Sequence, residues 1–311
     1  MKVHETIASF RAALRRGSGT AGFVPTMGYL HNGHRSLIDA ARRDCGPEGT
    51  VAVSIFVNPL QFGPSEDLAA YPRDLDRDLA VCEAAGVDHV LHPSVEEMYP
   101  FGVPTLTTVS VAEISTPMEG ASRPSHFAGV ATVVAKLLAI AGPCRAYFGE
   151  KDWQQLAVIR RIAADLSFPV DVVGCPTVRE ADGLALSSRN AYLTADERAA
   201  APALYRALQA GVSAVQNGER DPDRVRAAMH DVLRVTPRGE VDYLEVVDAG
   251  TLAPVEPLHG ELRLLGAVRF GRARLIDNTG VTVPAPTTPG GTTHAPPHDE
   301  VEDPPRHGHR R

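Results

Sequence analysis

Short apolar runs alternate with helix-like segments along the first half of the chain, and this alternation restricts the possible folds more than any other feature. The run TVAVSIFV at residues 50–57 is apolar on both faces and predicts a fully buried strand. LDRDLAVCEAAG at 75–86 has helical spacing and ends at a glycine, whereas VDHVLH at 87–92 is strand-like again. Strands that are joined through helices lie parallel in one sheet. We therefore predict an α/β fold, with a Rossmann-like parallel sheet and helices on both of its faces.

The same alternation continues towards residue 176. Residues 129–142 are apolar nearly all round and predict a buried helix, and 154–166 predict an amphipathic one. Residues 145–152 and 170–175 are typical of short strands. The N-terminal segment, MKVHETIASFRAALRRG, is interpreted as an amphipathic helix.

The pattern changes beyond residue 176. Two helical stretches and two strand-like runs follow: 194–217, 222–235, 241–248 and 261–278. We predict a Rossmann-like domain over 1–176 and a smaller α+β domain over 177–280. From residue 281 the chain is rich in Pro, Gly, Thr and His and almost without apolar residues. Such a segment cannot bury enough surface to offset its ordering entropy, so 281–311 is predicted to be disordered.

Charge and cysteine usage exclude several functional classes. The formal net charge of −7 does not favour nucleic acid or an anionic membrane as a partner. No stretch has eighteen consecutive apolar residues, and the N-terminus lacks the apolar core of a signal peptide. The four cysteines are widely separated and form no C-x-x-C pair, which favours reduced thiols over a zinc site or a disulfide framework. We therefore predict a cytoplasmic protein that acts on small molecules.

The segment PTMGYLHNGH at 25–34 lies between a strand-like run and a helix-like one. In a parallel sheet, ligands bind beyond the carboxyl ends of the strands, where a helix N-terminus favours phosphate. Gly28 and Gly33 permit close backbone approaches, and the imidazoles of His31 and His34 can donate to phosphate oxygens, more strongly when protonated. The segment predicts a nucleotide-phosphate site, although a glycine-rich turn with a capping histidine has the same composition.

Polar clusters also follow three later strands of the predicted sheets. They are FVNPLQFGPSEDLAAYPRDLDRD, YFGEKDWQQ and TVREADGLALSSRN. Because the carboxyl ends of parallel strands meet at one edge of a sheet, we expect these clusters to face one cleft. No Cys/His or Ser/His pair suggests a protein nucleophile, so the site is expected to act by positioning and charge stabilisation.

The order of these motifs resembles that of the pantothenate synthetase family. P-T-M-G-x-L-H-x-G-H, S-I-F-V-N-P-x-Q-F, Y-P-R, H-F-A-G-V, F-G-E-K-D-x-Q-Q and V-R-E-x-D-G-L-A-x-S-S-R-N-x-Y-L occur in the family's order between about residues 2 and 278. That family is part of the HIGH-motif nucleotidyltransferases. HNGH at 31–34 is in the place of the HIGH element, and LSSR at 186–189 is in the place of a KMSKS-like loop.

The resemblance implies an AMP-forming carbon–nitrogen ligase. Such an enzyme condenses pantoate with β-alanine to pantothenate through a pantoyl-adenylate, with ATP as a substrate, Mg²⁺ as a cofactor and diphosphate as a product. It also implies a homodimer. Two alternatives remain open: another HIGH-motif nucleotidyltransferase that stops at an adenylylated product, and a non-catalytic nucleotide-binding protein.

The resemblance also assigns site residues. Those assigned to catalysis are His31, His34, Lys151 and Arg189. Those assigned to ATP are Met27, Gly28, Tyr29, Leu30, His31, Asn32, Gly33, His34, Gly149, Glu150, Lys151, Asp152, Val178, Leu186, Ser187, Ser188 and Arg189. Those assigned to pantoate and β-alanine are Gln61, Gln155 and Asn58.

Three further positions carry open interpretations. Asp78 is a candidate for the metal region or, equally, one of several solvated charges on its helix. Arg123 and His126 are expected to line the pocket, with a loop anchor as the alternative for His126. Leu186 replaces the methionine usual in the family, and we expect it to point away from the phosphates and anchor its loop.

Overall fold

The computed structural model describes residues 1–15, 20–63, 68–69 and 71–284. Its larger sheet has six strands: β1 Lys2–His4, β2 Ala21–Thr26, β3 Thr50–Ile55, β4 His89–Leu91, β5 Cys144–Gly149 and β6 Val170–Cys175. All neighbouring strands are parallel, in the order β1-β4-β3-β2-β5-β6. The predicted α/β fold with a parallel sheet is confirmed.

Helices cover both faces of this sheet because its central strands are apolar on both sides. The helices are α1 Ile7–Leu14, α2 Asn32–Cys45, α3 Leu75–Ala84, α4 Val95–Met98, α5 Glu119–Ser122, α6 His126–Ala141 and α7 Trp153–Asp165. Phe23 packs with residues of α1, α6 and α7 on one face, whereas its neighbour Val24 packs with α2 and α3 on the other. Successive strand residues point to opposite faces, so one continuous apolar run forms two cores.

The second sheet is antiparallel and has its own core. Its strands, in order, are β7 Gly239–Asp248, β8 Gly260–Phe270 and β9 Ala273–Val283. Three helices precede it: α8 Ala195–Ala200, α9 Ala203–Gln216 and α10 Pro222–Arg234. Leu204 and Leu208 of α9 and Met229 of α10 pack against β8 residues such as Leu264 and Phe270. The small α+β arrangement agrees with the expectation for this half of the chain.

Several boundaries differ from the sequence predictions. The N-terminal segment begins with an edge strand, β1, before the helix α1. The stretch 194–217 is two helices because Pro202 lies between them, and the run 261–278 is a hairpin that turns at Gly271. A proline disfavours helical geometry in the residue before it, and a glycine at positive φ permits a tight turn. Both signals are present in the sequence but did not outweigh the longer apolar patterns.

The last strand also extends beyond its predicted end. β9 continues to Val283, and Val281 and Val283 are buried in the C-terminal core. Placing the start of the disordered tail at 281 was therefore wrong by at least three residues, because the V-x-V alternation at its start is a strand pattern. Residues 285–311 lie outside the described part of the chain, as does the prediction of their disorder. The division into domains at 176 and 177 stays a prediction.

The fold places the carboxyl ends of β2, β3 and β5 side by side, with β9 lying close to the turn that follows β5. One polar motif follows each of β2, β3 and β5 in the sequence, and the motif with LSSR follows β6, which pairs with β5. Within the described ranges, no helix is both long enough and apolar enough to span a membrane.

Candidate active site

The turn after β2 is fixed by two buried polar side chains. Thr26 donates its hydroxyl to the Ser54 carbonyl (2.8 Å) and accepts from the Gly28 amide (3.2 Å). The two carboxylate oxygens of Asp78 accept from the amides of Tyr29 and Leu30, both at 2.7 Å. These bonds satisfy backbone donors that the turn would otherwise leave unpaired.

Asp78 is therefore not a solvated charge, which was one of the two interpretations of the sequence. It is buried, and each carboxylate oxygen accepts a backbone amide. A β-carbon on Gly28 would lie 2.8 Å from this carboxylate, and Gly28 has a φ of +80°. Only glycine suits both the backbone geometry and the contact. Asp78 therefore fixes the backbone conformation of the turn after β2.

The two histidines of HNGH cap the N-terminus of α2. His31 Nδ1 accepts from the Gly33 amide (3.1 Å), and His34 Nδ1 accepts from the His31 amide (3.3 Å). Since a backbone N–H occupies each Nδ1, a neutral ring carries its proton on Nε2. The ring centroids are 4.1 Å apart. Each ring therefore has one Nε2–H left to donate.

Burial keeps both imidazoles neutral. It lowers the pKa of His34 to about 3, with the adjacent His31 as the next cause. Burial and then the charge of Lys151 lower the pKa of His31 as well. The idea that protonated histidines strengthen the phosphate contact is not supported. The donors here are neutral Nε2–H groups.

The position of the His31 ring requires a glycine at residue 33. A β-carbon at Gly33 would lie 2.8 Å from Cε1 and 2.9 Å from Nδ1 of His31, closer than van der Waals contact allows. It would also lie 3.9 Å from the Leu186 Cβ. Leu186 thus lies against the HNGH turn, so it links its own loop to this turn.

The turn after β5 presents Lys151. Residues Glu150–Asp152 form a 3₁₀ turn that leads directly into α7. Lys151 Nζ lies 3.6 Å from Asp152 Oδ1. Burial alone would raise the pKa of Asp152, but the charges of Lys151 and Arg189 lower it overall, so the carboxylate stays ionised. The Glu150 carboxylate pairs instead with Arg263 of β8, at 3.3 Å.

A short hairpin leads into the 3₁₀ turn that carries Arg189. Its start and end are joined by the Leu186 amide, which donates to the Val178 carbonyl at 2.9 Å. Ser187 caps the following 3₁₀ turn by accepting from the Arg189 amide at 3.3 Å. The side chains of Ser187, Ser188 and Arg189 face the cleft.

The polar side chains after β3 form a connected network. Gln61 Nε2 contacts Met27 Sδ at 2.9 Å, and Gln61 Oε1 accepts from Asn58 at 3.2 Å. Asn58 is buried and also bonds to the Gly129 carbonyl (3.2 Å) and the Tyr99 hydroxyl (2.8 Å). Its amide is fully engaged within the protein, so Asn58 supports Gln61.

Gln155 and its neighbour Gln154 have different surroundings. Gln154 is buried and donates to the carbonyls of Ile114 (2.9 Å) and Pro117 (2.8 Å), which ties α7 to the segment before α5. Gln155 is half-buried and lines the cleft. His126 also lines it, and its Nδ1 donates to the Gln61 carbonyl at 3.0 Å.

These segments enclose one cleft of about 1010 Å³. The sequence-predicted residues that line it are Met27, His34, Asn58, Gln61, Arg123, His126, Lys151, Asp152, Gln155, Ser187, Ser188 and Arg189. Those that are not among its lining residues are Gly28, Tyr29, Leu30, His31, Asn32, Gly33, Asp78, Gly149, Glu150, Val178 and Leu186. The second group includes residues of the backbone turns from which side chains of the first group reach the cleft. Motifs distant in the sequence therefore do converge.

Sequence reasoning missed the contribution of the C-terminal sheet. Arg269, Arg272 and Arg274 line the cleft from β8, β9 and the turn between them. Arg274 forms a bidentate pair with the buried Glu119, at 2.7 and 2.8 Å. The available signal was the set of charged residues within an otherwise apolar hairpin, but the sequence does not show which element they face.

Comparisons with known proteins agree with this geometry. A family model described as pantoate-beta-alanine ligase matches residues 2–280. A pantothenate synthetase of Chloroflexus aurantiacus is 54% identical over 279 residues, which cover 89% of this chain and 97% of the relative. One of Geobacillus kaustophilus is 50% identical over 287 residues, with 91% and 94% covered.

Solved structures give the same result. A crystal structure of pantothenate synthetase from Thermus thermophilus superposes with a TM-score of 0.84 at 52% identity, covering 90% of this chain and 99% of that one. A pantoate-beta-alanine ligase of Francisella tularensis, complexed with beta-gamma ATP and beta-alanine, has a TM-score of 0.72 at 34% identity, covering 90% and 97%. The chain belongs to the pantoate–β-alanine ligase family.

Proposed function

We propose that the chain condenses pantoate with β-alanine to form pantothenate, converting ATP to AMP and diphosphate. The observation that carries this proposal is the convergence of His34, Lys151 and Arg189, from three separate motifs, on a cleft that Gln61 and Gln155 also line. The hydrogen-bond donors and cations suit a nucleoside triphosphate. The amides suit a ligand with hydroxyl and carboxylate groups, because an amide both donates and accepts.

In the first step, a pantoate carboxylate oxygen attacks the α-phosphorus of ATP and diphosphate leaves. Negative charge accumulates on the phosphoryl oxygens in the transition state. The Nε2–H of His34 donates towards the α-phosphate, with His31 assisting, and Lys151 neutralises charge. Ser187, Ser188 and Arg189 bind the β- and γ-phosphates. Neutral imidazole donors suit this step because no proton has to move.

In the second step, the β-alanine amine attacks the acyl carbonyl of pantoyl-adenylate and AMP leaves. The carbon–nitrogen bond forms as the acyl–phosphate bond breaks, and the amine loses a proton. Gln61 and Gln155 keep the pantoyl group in place between the two steps. Its position relative to the incoming amine is the main contribution of the protein to this step.

Mg²⁺ is proposed to enter as part of the substrate, bound to ATP. Within the described residues, no group of three or more His, Cys, Asp or Glu side chains is arranged to bind a metal ion. Asp78, the candidate from the sequence, already accepts two backbone amides. Mg²⁺ commonly binds through substrate phosphates and water with few protein ligands, which such a cleft allows.

Isotope exchange tests the proposed sequence of steps. With ATP and pantoate but no β-alanine, we expect labelled pyrophosphate to enter ATP. Full turnover with β-alanine should release AMP and a product with the mass of pantothenate. A strict requirement of exchange for β-alanine would contradict the adenylate intermediate. Exchange that proceeds without pantoate, or no turnover at all, would favour another nucleotidyltransferase or a non-catalytic protein.

A further inference from the structure

Two consecutive residues on β9 interrupt the alternation of that strand. Along β9, buried positions alternate with more exposed ones until Asp277 and Asn278, which are 4% and 3% exposed. Neighbouring strand residues point to opposite faces, so both faces of the sheet are covered at this point. One side chain meets the hairpin that begins near Arg179, and the other meets the turn of Lys151.

The Asn278 amide makes three hydrogen bonds. Its Nδ2 donates to the carbonyls of Glu150 (2.9 Å) and Lys151 (2.8 Å), and its Oδ1 accepts from Arg263 Nε (2.6 Å). The two carbonyls belong to successive residues of the 3₁₀ turn. A single side chain therefore fixes the orientation of the peptide units on both sides of the Lys151 α-carbon, and with it the direction in which the lysine leaves the backbone.

The groups around Asn278 are themselves restrained. Arg263 pairs with the Glu150 carboxylate at 3.3 Å and stacks on Trp153, its guanidinium carbon 3.6 Å from the ring centroid. Trp153 is the first residue of α7 and donates to the Ala249 carbonyl at 2.9 Å. The turn of Lys151 is thus bound on one side by residues of the C-terminal sheet.

The adjacent Asp277 binds an arginine of the hairpin that leads to Arg189. Its carboxylate forms a bidentate pair with Arg179, at 2.6 and 2.9 Å. Arg179 also donates to the Gly183 carbonyl at 3.1 Å, inside the hairpin that leads to Arg189. Asn278 therefore contacts the backbone that presents Lys151, whereas Asp277 reaches the hairpin that leads to Arg189 only through the Arg179 side chain.

We propose that Asn278 is a positioning residue for adenylate formation, acting through the Lys151 turn. This inference rests on the proposed function, in which Lys151 neutralises charge on the phosphates. Asn278 lines the cleft, but its amide nitrogen and oxygen are bonded to the Glu150 and Lys151 carbonyls and to Arg263. A displacement of a charged donor by about 1 Å can reduce a rate by up to roughly 100-fold.

A double-mutant cycle tests the inference. Pyrophosphate exchange is measured with ATP and pantoate for the wild type, Asn278→Ala, Lys151→Ala and the double variant. We expect Asn278→Ala alone to reduce kcat roughly 10- to 100-fold while the KM for pantoate changes less than about threefold. In the Lys151→Ala background, the same substitution should change kcat less than about threefold. Equal losses in both backgrounds would overturn the inference, because they would indicate a role that does not pass through Lys151.

A matched control and a second variant keep the test decisive. Thr282→Ala also removes a side-chain hydrogen bond on β9, to Glu261, but lies outside the cleft lining, and it should leave exchange within about twofold of the wild type. Should Asn278→Ala fail to fold, Asn278→Asp preserves the shape and places an acceptor against both carbonyls, and the same loss is expected. Wild-type-like exchange in Asn278→Asp would contradict the inference.

Amide hydrogen exchange adds a readout that does not depend on catalysis. In Asn278→Ala, the peptide containing residues 149–153 should exchange faster, while peptides from α9 and α10 should be unchanged. Unchanged exchange in 149–153 would overturn this inference but would not affect the proposed function. Absence of pantoate-dependent pyrophosphate exchange in the wild type would overturn the proposed function, and with it the assigned step.

Discussion

At the scale of single residues, the HNGH turn shows how neighbouring groups select the form of a side chain. Each imidazole accepts a backbone N–H at Nδ1, and burial lowers the pKa of both rings. The rings are therefore neutral Nε2–H donors and weak bases, suited to hydrogen bonding with a phosphate.

Replacement of His34 should affect the rate more than binding. His34→Ala removes a donor directed at charge that grows in the transition state, so we expect kcat for exchange to fall roughly 10²- to 10³-fold. The KM for pantoate should change little. Gln61→Ala should do the reverse and mainly raise the KM for pantoate. Steady-state kinetics of both variants are the measurement, and an unchanged kcat in a folded His34→Ala would remove this histidine from its role.

At the scale of elements, the loop at 186–189 combines an apolar contact with polar groups. Leu186 lies against the HNGH turn, while Ser187 and Arg189 face the cleft. The loop and the turn therefore contact each other through an apolar residue. Leu186 was expected to point away from the phosphates and anchor its loop, and it is not among the residues that line the cleft.

Leu186→Met should be tolerated. The two side chains have similar volumes, and such exchanges usually cost less than about 1.5 kcal/mol. We expect kcat/KM for ATP to stay within roughly tenfold of the wild type. Arg189→Ala should lose far more, because it removes a charge that pairs with phosphate. Similar losses in the two variants would show that Arg189 has no special role in this loop.

The edge of the parallel sheet should respond to pH. His4 Nε2 and His89 Nδ1 are 3.2 Å apart, between β1 and β4. Burial, followed by the neighbouring imidazole and Lys2, lowers the pKa of His4 below its usual 6.5. The folded state then binds fewer protons than the unfolded state, so this contribution to stability is complete above pH 6.5 and is lost as the pH falls.

Urea unfolding between pH 5 and about 8 measures this effect. His4→Gln should flatten the dependence of the unfolding free energy on pH by at most about 1.4 kcal/mol per pH unit. The slope is the readout, because the substitution itself can lower stability at every pH. An identical slope in wild type and variant would contradict the assignment to His4.

At the scale of the whole molecule, the boundary of the C-terminal core can be tested by truncation. Deleting 285–311 should leave activity and melting temperature nearly unchanged, because that segment has almost no apolar residues to bury. Deleting 281–311 also removes Val281 and Val283 from the core. Each buried valine contributes roughly 1.5 kcal/mol or more, so the melting temperature should fall by about 5 °C or more. Equal melting temperatures for the two truncations would contradict this boundary.

The homodimer implied by the family resemblance remains a proposal. Phe101 and Leu106, between α4 and α5, are 97% and 100% exposed in the single chain. We expect a second copy to cover them, so the wild type should have twice the monomer mass in light scattering. Leu106→Asp should shift it towards the monomer. Val235→Asp is the control, since Val235 is also exposed but lies at the end of α10. A monomeric wild type would exclude the proposal.

The sequence by itself determined the fold class and the main site motifs. Strands such as β3 are apolar on both faces and alternate with amphipathic helices, and these local patterns depend only on neighbouring residues. PTMGYLHNGH, the glutamine motifs and LSSR were recognisable for the same reason, since each is a continuous segment. The roles that the resemblance assigns to their side chains remain predictions to be tested by the variants above.

Only the tertiary structure decided which polar side chains reach the cleft and which support the others. Asp78, Asn58 and Asn278 have similar chemistry to neighbouring residues, but each is hydrogen-bonded to a backbone group 48 to 128 residues away in the sequence. The tertiary structure also decided the protonation state of His31 and His34, because a pKa depends on burial. Hydrogen-bond partners and burial arise from packing between distant segments, and no local pattern in the sequence records them.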